Sequence, residues 1–348
     1  MPPAATSSAR ALGAILPLIA SGQPYEAHQK ARTFAARYAK SAQYDIAIDV
    51  LFQSARELLK AGQQGSGVDL AGFLLEVYES KGEEVNEESR GRLTQLIALT
   101  GDSGSWRDTV ISKSISWSAK HGPCPAGDPD LQHYVGELLY KEGALDDAEP
   151  HLLASGKRDS ARLLADLMVD WSAEGGPAGL YALRGTIPYL QNGNILAAHT
   201  FITNFTSTII SRTPDLRSTN QSTALPIGPS DAPKGEVTLT TDSVLNFCQL
   251  AVLTCQRAQG DRNKTTRDAW VRLCGTYQSR GGILAQPEVR LALQELSTLY
   301  FAIPPPRNQA ANPFGDMLSS LFGGPAGGGG APTPRRALAP ASSDPGLD

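Results

Sequence analysis

The chain is poor in cysteine: four in 348 residues, at positions 124, 248, 255 and 274, with no CxxC spacing. That density and spacing exclude a secreted disulfide scaffold and make reduced thiols the expectation. Cys248 and Cys255 lie seven residues apart, which places both on one helix face as small core residues. The five histidines are scattered, with no HExxH and no EF-hand pattern, so no metal site is expected, and His133 and His151 read as surface residues. There is no GxxxxGK[ST], so neither Gly65-Ser66-Gly67 nor the glycine-rich end of the chain is a phosphate loop. His121 stands three residues before Cys124, but the sequence fixes no orienting carboxylate beside them, and thiol-imidazole catalysis is not expected. Neither an enzyme nor a cofactor is implied.

Charge of one sign is also missing. The formal net charge is −4 with no dense Lys/Arg run, which argues against nucleic acid as a ligand. Long apolar runs are absent too. Residues 1–9 lack the apolar core of a signal peptide, and the stretch 12–20 contains Pro17 and is too short to span a bilayer. A soluble cytoplasmic protein without direct membrane insertion is expected.

What the chain has is helical rhythm. In residues 23–40, Ala27, Ala31, Phe34, Ala35 and Tyr38 fall at i, i+4, i+7, i+8 and i+11, one stripe of a 3.6-residue helix. In residues 44–60, Asp45, Asp49, Gln53, Arg56 and Lys60 make a narrow polar stripe, and apolar residues cover the rest. Such a helix is expected to be buried on several sides. Tyr25-Glu26-Ala27 and Tyr44-Asp45-Ile46 open consecutive helices nineteen residues apart, so each helix pair spans about 35–40 residues, a solenoid period.

The rhythm continues along the chain. A frayed segment 1–9 precedes a first helix over 10–21, which Pro17 is expected to kink or shorten. Gln64-Gly65-Ser66-Gly67 is expected to break the chain before a helix carrying Val68 to Tyr78. Helices follow over 87–99 and 105–119, the second capped by Ser105, and then over 131–140, 145–154, 159–171, 179–190 and 195–210. Residues 212–241 contain Pro214, Pro226, Pro229 and Pro233. The β-compatible runs 225–227 and 236–240 in that stretch suggest a hairpin, with a disordered insert as the alternative. Helices resume over 242–257, 263–277 and 287–301, with Pro287 at the first helical position. Beyond Pro304-Pro305-Pro306 the composition is that of a disordered tail over 304–348. Its segment 312–322, with Phe314, Met317, Leu318, Leu321 and Phe322 at helical spacing, either docks or stays free.

Lacking catalytic chemistry, such a chain works by presenting a surface. Tyr25, His28 and Arg32 share one flank of their helix at i, i+3 and i+7, an aromatic, a titratable donor and a bidentate cation suited to a protein contact. The plainer alternative is that Tyr25 packs on the preceding helix. Asp69 is expected near a helix start, where a carboxylate favours the dipole. Residues 10–60 hold seven Lys/Arg against four Asp/Glu and residues 61–100 three against seven, patches that steer a charged partner or are ordinary solvated faces.

Several stretches together resemble the Golgi-to-ER traffic protein four family, the scaffold subunit of the tail-anchored-protein targeting pathway. They are Tyr25-Glu26-Ala27-His28-Gln29, Arg37-Tyr38, Gly65 to Leu70 with Leu75-Glu76-Val77-Tyr78, Gly127-Asp128-Pro129, and Asn246 to Leu250 with Leu253-Thr254-Cys255-Gln256. The resemblance covers about residues 10–322. With the periodicity it implies an all-α, right-handed, TPR-like α-solenoid of about seven antiparallel helix pairs over 10–303, with a small β-hairpin near its C-terminal end. It further implies that residues 10–150 bind the ATP-bound dimeric targeting ATPase through Tyr25, His28 and Arg32, with Asp69 restraining ATP hydrolysis. Residues 151–303 would hold a ubiquitin-like partner through Leu225, Ile227, Val237, Leu239, Phe247 and Leu250. That partner recruits a TPR co-chaperone carrying tail-anchored clients. The rival reading is an unrelated helical-repeat scaffold that binds short peptides in a concave groove.

Overall fold

A computed structural model of the chain describes residues 5–102, 105–218, 225–227 and 235–305; the segment 312–322 lies outside the described residues. Fourteen α-helices, three 3₁₀ turns and one two-stranded hairpin are present among them, the expected all-α stack of helix pairs with a hairpin insert. The chain divides into two compact units, Met1–Leu163 and Leu164–Asp348.

The first unit holds α1 (Ala5–Ala20), α2 (Pro24–Lys40), α3 (Tyr44–Lys60), α4 (Gln64–Lys81), α5 (Glu87–Leu99), α6 (Trp106–His121), α7 (Pro129–Lys141), α8 (Leu145–Ser155) and the start of α9 (Arg158–Ser172). One recurring turn joins α1 to α2, α2 to α3, α3 to α4 and α7 to α8. Gly22, Ala42, Gly62 and Gly143 all adopt left-handed φ between 56° and 81°. The next residue's N–H reaches back five positions, as in Gln23 to Leu18, Gln43 to Tyr38, Gln63 to Leu58 and Ala144 to Leu139, at 2.8–3.0 Å. This closure satisfies the orphan carbonyls at each helix end. Its left-handed residue suits glycine, so Ala42 occupies the position at a cost.

Even-numbered helices α2, α4 and α6 pack side by side in one layer, and α1, α3, α5 and α7 in another. Helix α3 touches α1, α2, α4 and α5, which accounts for its narrow polar stripe. Four expectations fail here. Pro17 neither ends nor shortens α1, which runs on to Ala20. Both Pro17 and Gly13, whose carbonyl loses its donor, are exposed, so water can replace the missing bond. The helix also begins at Ala5, inside the segment expected to fray. Likewise Gln64 to Gly67 is not a break but the first turn of α4. A Cβ on Gly67 would stand 2.5 Å from Leu59 Cγ, so this glycine lets α3 and α4 approach closely. Ser105 precedes α6 without capping it through its side chain.

The second unit holds the rest of α9, α10 (Ala178–Gln191), α11 (Ile195–Arg212), the hairpin strands β1 (Leu225–Ile227) and β2 (Gly235–Val237), α12 (Ser243–Gln256), α13 (Lys264–Gln278) and α14 (Pro287–Phe301). Helix α12 packs on α10, α11 and α13, and α14 packs on α10 and α13. Trp270 stacks on Phe301 at 4.9 Å between ring centroids, and its indole N–H donates to Ser297 Oγ at 2.8 Å. Asp242 fastens two helix starts together. Its Oδ1 accepts from the N–H groups of Val244 and Leu245 at the start of α12, at 2.9 and 3.1 Å, and its Oδ2 from the N–H of Gly179 in α10 at 2.7 Å. A Cβ on Gly179 would stand 2.6 Å from that of Val244, so only glycine permits the approach. Cys248 and Cys255 are buried and free, as expected of small core residues.

Candidate functional site

On the first unit, α2 and α4 bring three of the four expected residues together. His28 Nε2 lies 2.7 Å from Asp69 Oδ2, and the Arg32 guanidinium donates to the same oxygen. The guanidinium also lies over the Phe73 ring, 5.3 Å from its centroid. Asp69 therefore acts from the second turn of α4, bridging to another helix, and not at a helix start where the dipole would be its partner. The early start of α4 produces this change of role. Partial burial pushes the Asp69 carboxyl up, but hydrogen bonds from His28 and Arg32 and the charge they carry outweigh it, leaving the group below its ordinary value. Arg32 and Asp69 remain 44% and 43% exposed, so the pair is fixed yet accessible.

Tyr25 is 73% exposed, one turn before His28; it does not pack away against α1. A large aromatic at that exposure, next to an ordered cation and carboxylate, is chemistry for holding a protein surface. Phe73 belongs with the set as the floor beneath Arg32. Its sequence position marked it only as apolar, and its pairing with Arg32 spans 41 positions of chain, beyond any periodicity.

The second candidate site is the hairpin with α12. Leu225 pairs with Val237 and Ile227 with Gly235, antiparallel, and Arg217 bridges Thr240. The second strand ends at Val237, short of the expected Thr240, so Leu239 lies outside it. Two side-chain amides take over the pairing. Asn246 accepts from Thr240 N–H at 2.9 Å and donates to its carbonyl at 2.7 Å; Gln249, one turn on, does the same for Thr238 at 3.1 and 2.9 Å. The helix surface thus substitutes for a neighbouring strand, reading alternate residues of the chain as a strand would.

Two of the expected contact residues are buried in this chain. Phe247 is fully buried against Tyr277, with ring centroids 5.4 Å apart, and Val237 is 1% exposed. Both are core residues that brace the hairpin and α12, with no side-chain surface for a partner, whereas Leu250 is half-buried. An apolar side chain in a helix pattern reads alike whether it fills a core or an interface. Asn246 and Gln249, quoted above only as part of a resemblance, are the residues with a visible task.

The rival chemistry fares poorly. The His121 ring stacks on Trp117 at 6.1 Å and its Nε2 lies 3.9 Å from Glu79. Burial and the charge of Asp128 raise the Cys124 thiol, the reverse of what a nucleophile needs. His133 and His151 are half-buried rather than on the surface, bonded through Nδ1 to Ser160 at 2.8 Å and Gln132 at 2.6 Å. Among the described residues no group of His, Cys, Asp and Glu is placed to hold a metal ion, and no helix is long and apolar enough to cross a membrane.

Comparison with known proteins gives a consistent result. The family described as Golgi to ER traffic protein 4 matches residues 41–322. A protein of that name from Aspergillus fumigatus is 35% identical over 337 residues, covering 91% of this chain and 90% of that protein. Its namesake in Schizosaccharomyces pombe is 27% identical over 308 residues, and a Homo sapiens homolog 24% over 318. Among solved structures, one titled "Crystal structure of C. therm. Get4" superposes with a TM-score of 0.76 at 33% identity, covering 91% of this chain and 96% of that one.

Proposed function

Because the chain belongs to the Golgi to ER traffic protein 4 family, we propose that it is a non-enzymatic adaptor in the targeting of tail-anchored membrane proteins to the ER. In this reading the α2–α4 face of the first unit holds the dimeric targeting ATPase in its ATP-bound state. The hairpin and α12 of the second unit hold a ubiquitin-like partner, which recruits the TPR co-chaperone and its client. The work takes place in the cytoplasm and needs no cofactor.

The observation that carries the reading is the ordered cluster of largely covered His28 with half-exposed Arg32 and Asp69, beside exposed Tyr25. A cation and a carboxylate already fixed to each other lose little side-chain freedom on docking, so complementary charge on the partner sets register at low entropic cost. Asp69 would restrain ATP hydrolysis from this position. Since it also holds His28 and Arg32 in place, its loss is expected to weaken binding as well as to release turnover. On the second unit, half-buried Leu250 and the outer strand carrying Leu225 and Ile227 would meet the ubiquitin-like partner, with Phe247 and Val237 supporting them from the core.

The test is titration of the labelled ATPase dimer with the full chain, with and without ATP, beside His28→Ala. Saturable binding that depends on nucleotide and is weakened by the substitution supports the adaptor reading; no binding in either nucleotide state overturns it. ATP turnover measured at saturating Asp69→Lys then separates restraint from affinity. Full restraint by that variant would remove the regulatory role of Asp69.

A further inference from the structure

Helix α4 is overlaid from both sides by a cation. From α2, Arg32 lies over Phe73 and is neutralised by Asp69. From α6, Lys113 reaches across to the adjacent residue, Gly72, where its Nζ lies 2.9 Å and its Cδ 4.0 Å from the point a Cβ would occupy. Gly72 is itself buried, so the missing side chain makes a seat in which the lysine stem rests on the helix backbone. The two cations differ in one respect: no carboxylate of the described residues pairs with Lys113. Elsewhere in the first unit Lys60, Lys81, Lys120, Lys141 and Lys157 each meet a carboxylate. The lysines without one are Lys30 and Lys40 on α2 and Lys113 on α6. On the α2 wheel, Lys30 points to the flank away from His28 and Arg32. Lys113 is thus the lysine without a carboxylate partner on the α4 side of the layer, an exposed residue.

We infer that the α2–α4 face extends onto α6, with Lys113 seated on Gly72 as a further anchor that takes a carboxylate of the partner. The inference rests on the ATPase-binding reading of that face and commits the docked surface to an acidic group at this point. A long cation on a bare helix backbone is partly ordered before docking, yet its ammonium stays open to an acceptor. Replacing it by a carboxylate would set like charges against each other, whereas arginine would preserve the contact.

The experiment uses the full chain and the labelled ATP-bound dimer, with Lys113→Glu, Lys113→Arg, Gly72→Ala, Lys30→Glu and His28→Ala titrated in parallel. Lys113→Glu is expected to raise Kd by on the order of tenfold at low salt, with the difference shrinking as salt rises. Lys113→Arg and Lys30→Glu should stay within about twofold of the unaltered chain, since exposed charges away from a contact contribute little. Gly72→Ala meets only the flexible end of Lys113, so it should keep the helical circular dichroism intact while weakening binding. If His28→Ala weakens binding and Lys113→Glu does not, the α6 extension is overturned and the adaptor reading stands. Equal loss with Lys30→Glu and Lys113→Glu would reduce the effect to net charge and also overturn it. Absence of binding by the unaltered chain overturns both.

Discussion

Replacing Asp242 by alanine should loosen two helices at once. The carboxylate caps α12 through Val244 and Leu245 and reaches the Gly179 N–H at the start of α10. Loss of a side-chain cap costs about 1 kcal/mol, and a buried N–H left without an acceptor about 1–3 kcal/mol. Gly179 is buried, so water does not readily replace the lost acceptor. The two contributions predict a destabilisation of about 2–4 kcal/mol in the unit that contains both helices. Asp242→Asn should fall between, because one amide oxygen can still cap α12 while the NH₂ group opposes the Gly179 N–H. Urea unfolding followed by circular dichroism gives the magnitude. Amide hydrogen exchange locates it, with faster exchange expected at Gly179, Val244 and Leu245. A loss below about 0.5 kcal/mol, the range of an ordinary surface change, would refute the double-cap argument.

Asn246→Ala or Gln249→Ala should orphan the backbone of Thr240 or Thr238 and cost about 1–3 kcal/mol locally, read as faster exchange in residues 237–240 and weaker capture of the ubiquitin-like partner. Unchanged exchange there would mean that the amides do not hold the strand. Ala42→Gly should stabilise the chain by about 1 kcal/mol, because it relieves a left-handed alanine at φ 56°; a lower thermal midpoint would contradict the turn analysis. The Asp69 carboxyl should titrate below its ordinary 3.8 by carbon-detected NMR. Its folded value is depressed, so the stability it contributes is fully present above 3.8 and is lost as pH falls through the lower folded value. Asp69→Asn should therefore differ from the unaltered chain at neutral pH and converge with it in acid, and a midpoint above 3.8 would contradict the cluster.

The fold was largely legible because helix periodicity is local. The stripes in residues 23–60 mark helices whose ends fall within a few residues of expectation. The errors come from interactions distant in sequence. Gly65 and Gly67 look like a break, yet Gly67 is glycine because Leu59 leaves no room for a side chain. That misreading also placed Asp69 at a helix start. His28 and Arg32 could be placed on one flank by counting, but their meeting with Asp69 spans 41 and 37 positions. Phe247 and Val237 are apolar positions whose burial in the core no local pattern distinguishes from an interface. Asp242 caps a helix 63 residues away, which no local pattern signals.

The most direct test of the central claim is hydrogen exchange of the full chain with and without the ATP-bound ATPase dimer. The adaptor account predicts slowed exchange in peptides covering residues 24–32 and 68–73, the α2 and α4 segments that carry Tyr25, His28, Arg32, Asp69 and Phe73, while α12 is unchanged. Protection confined to the second unit, or none at saturating dimer, would contradict it.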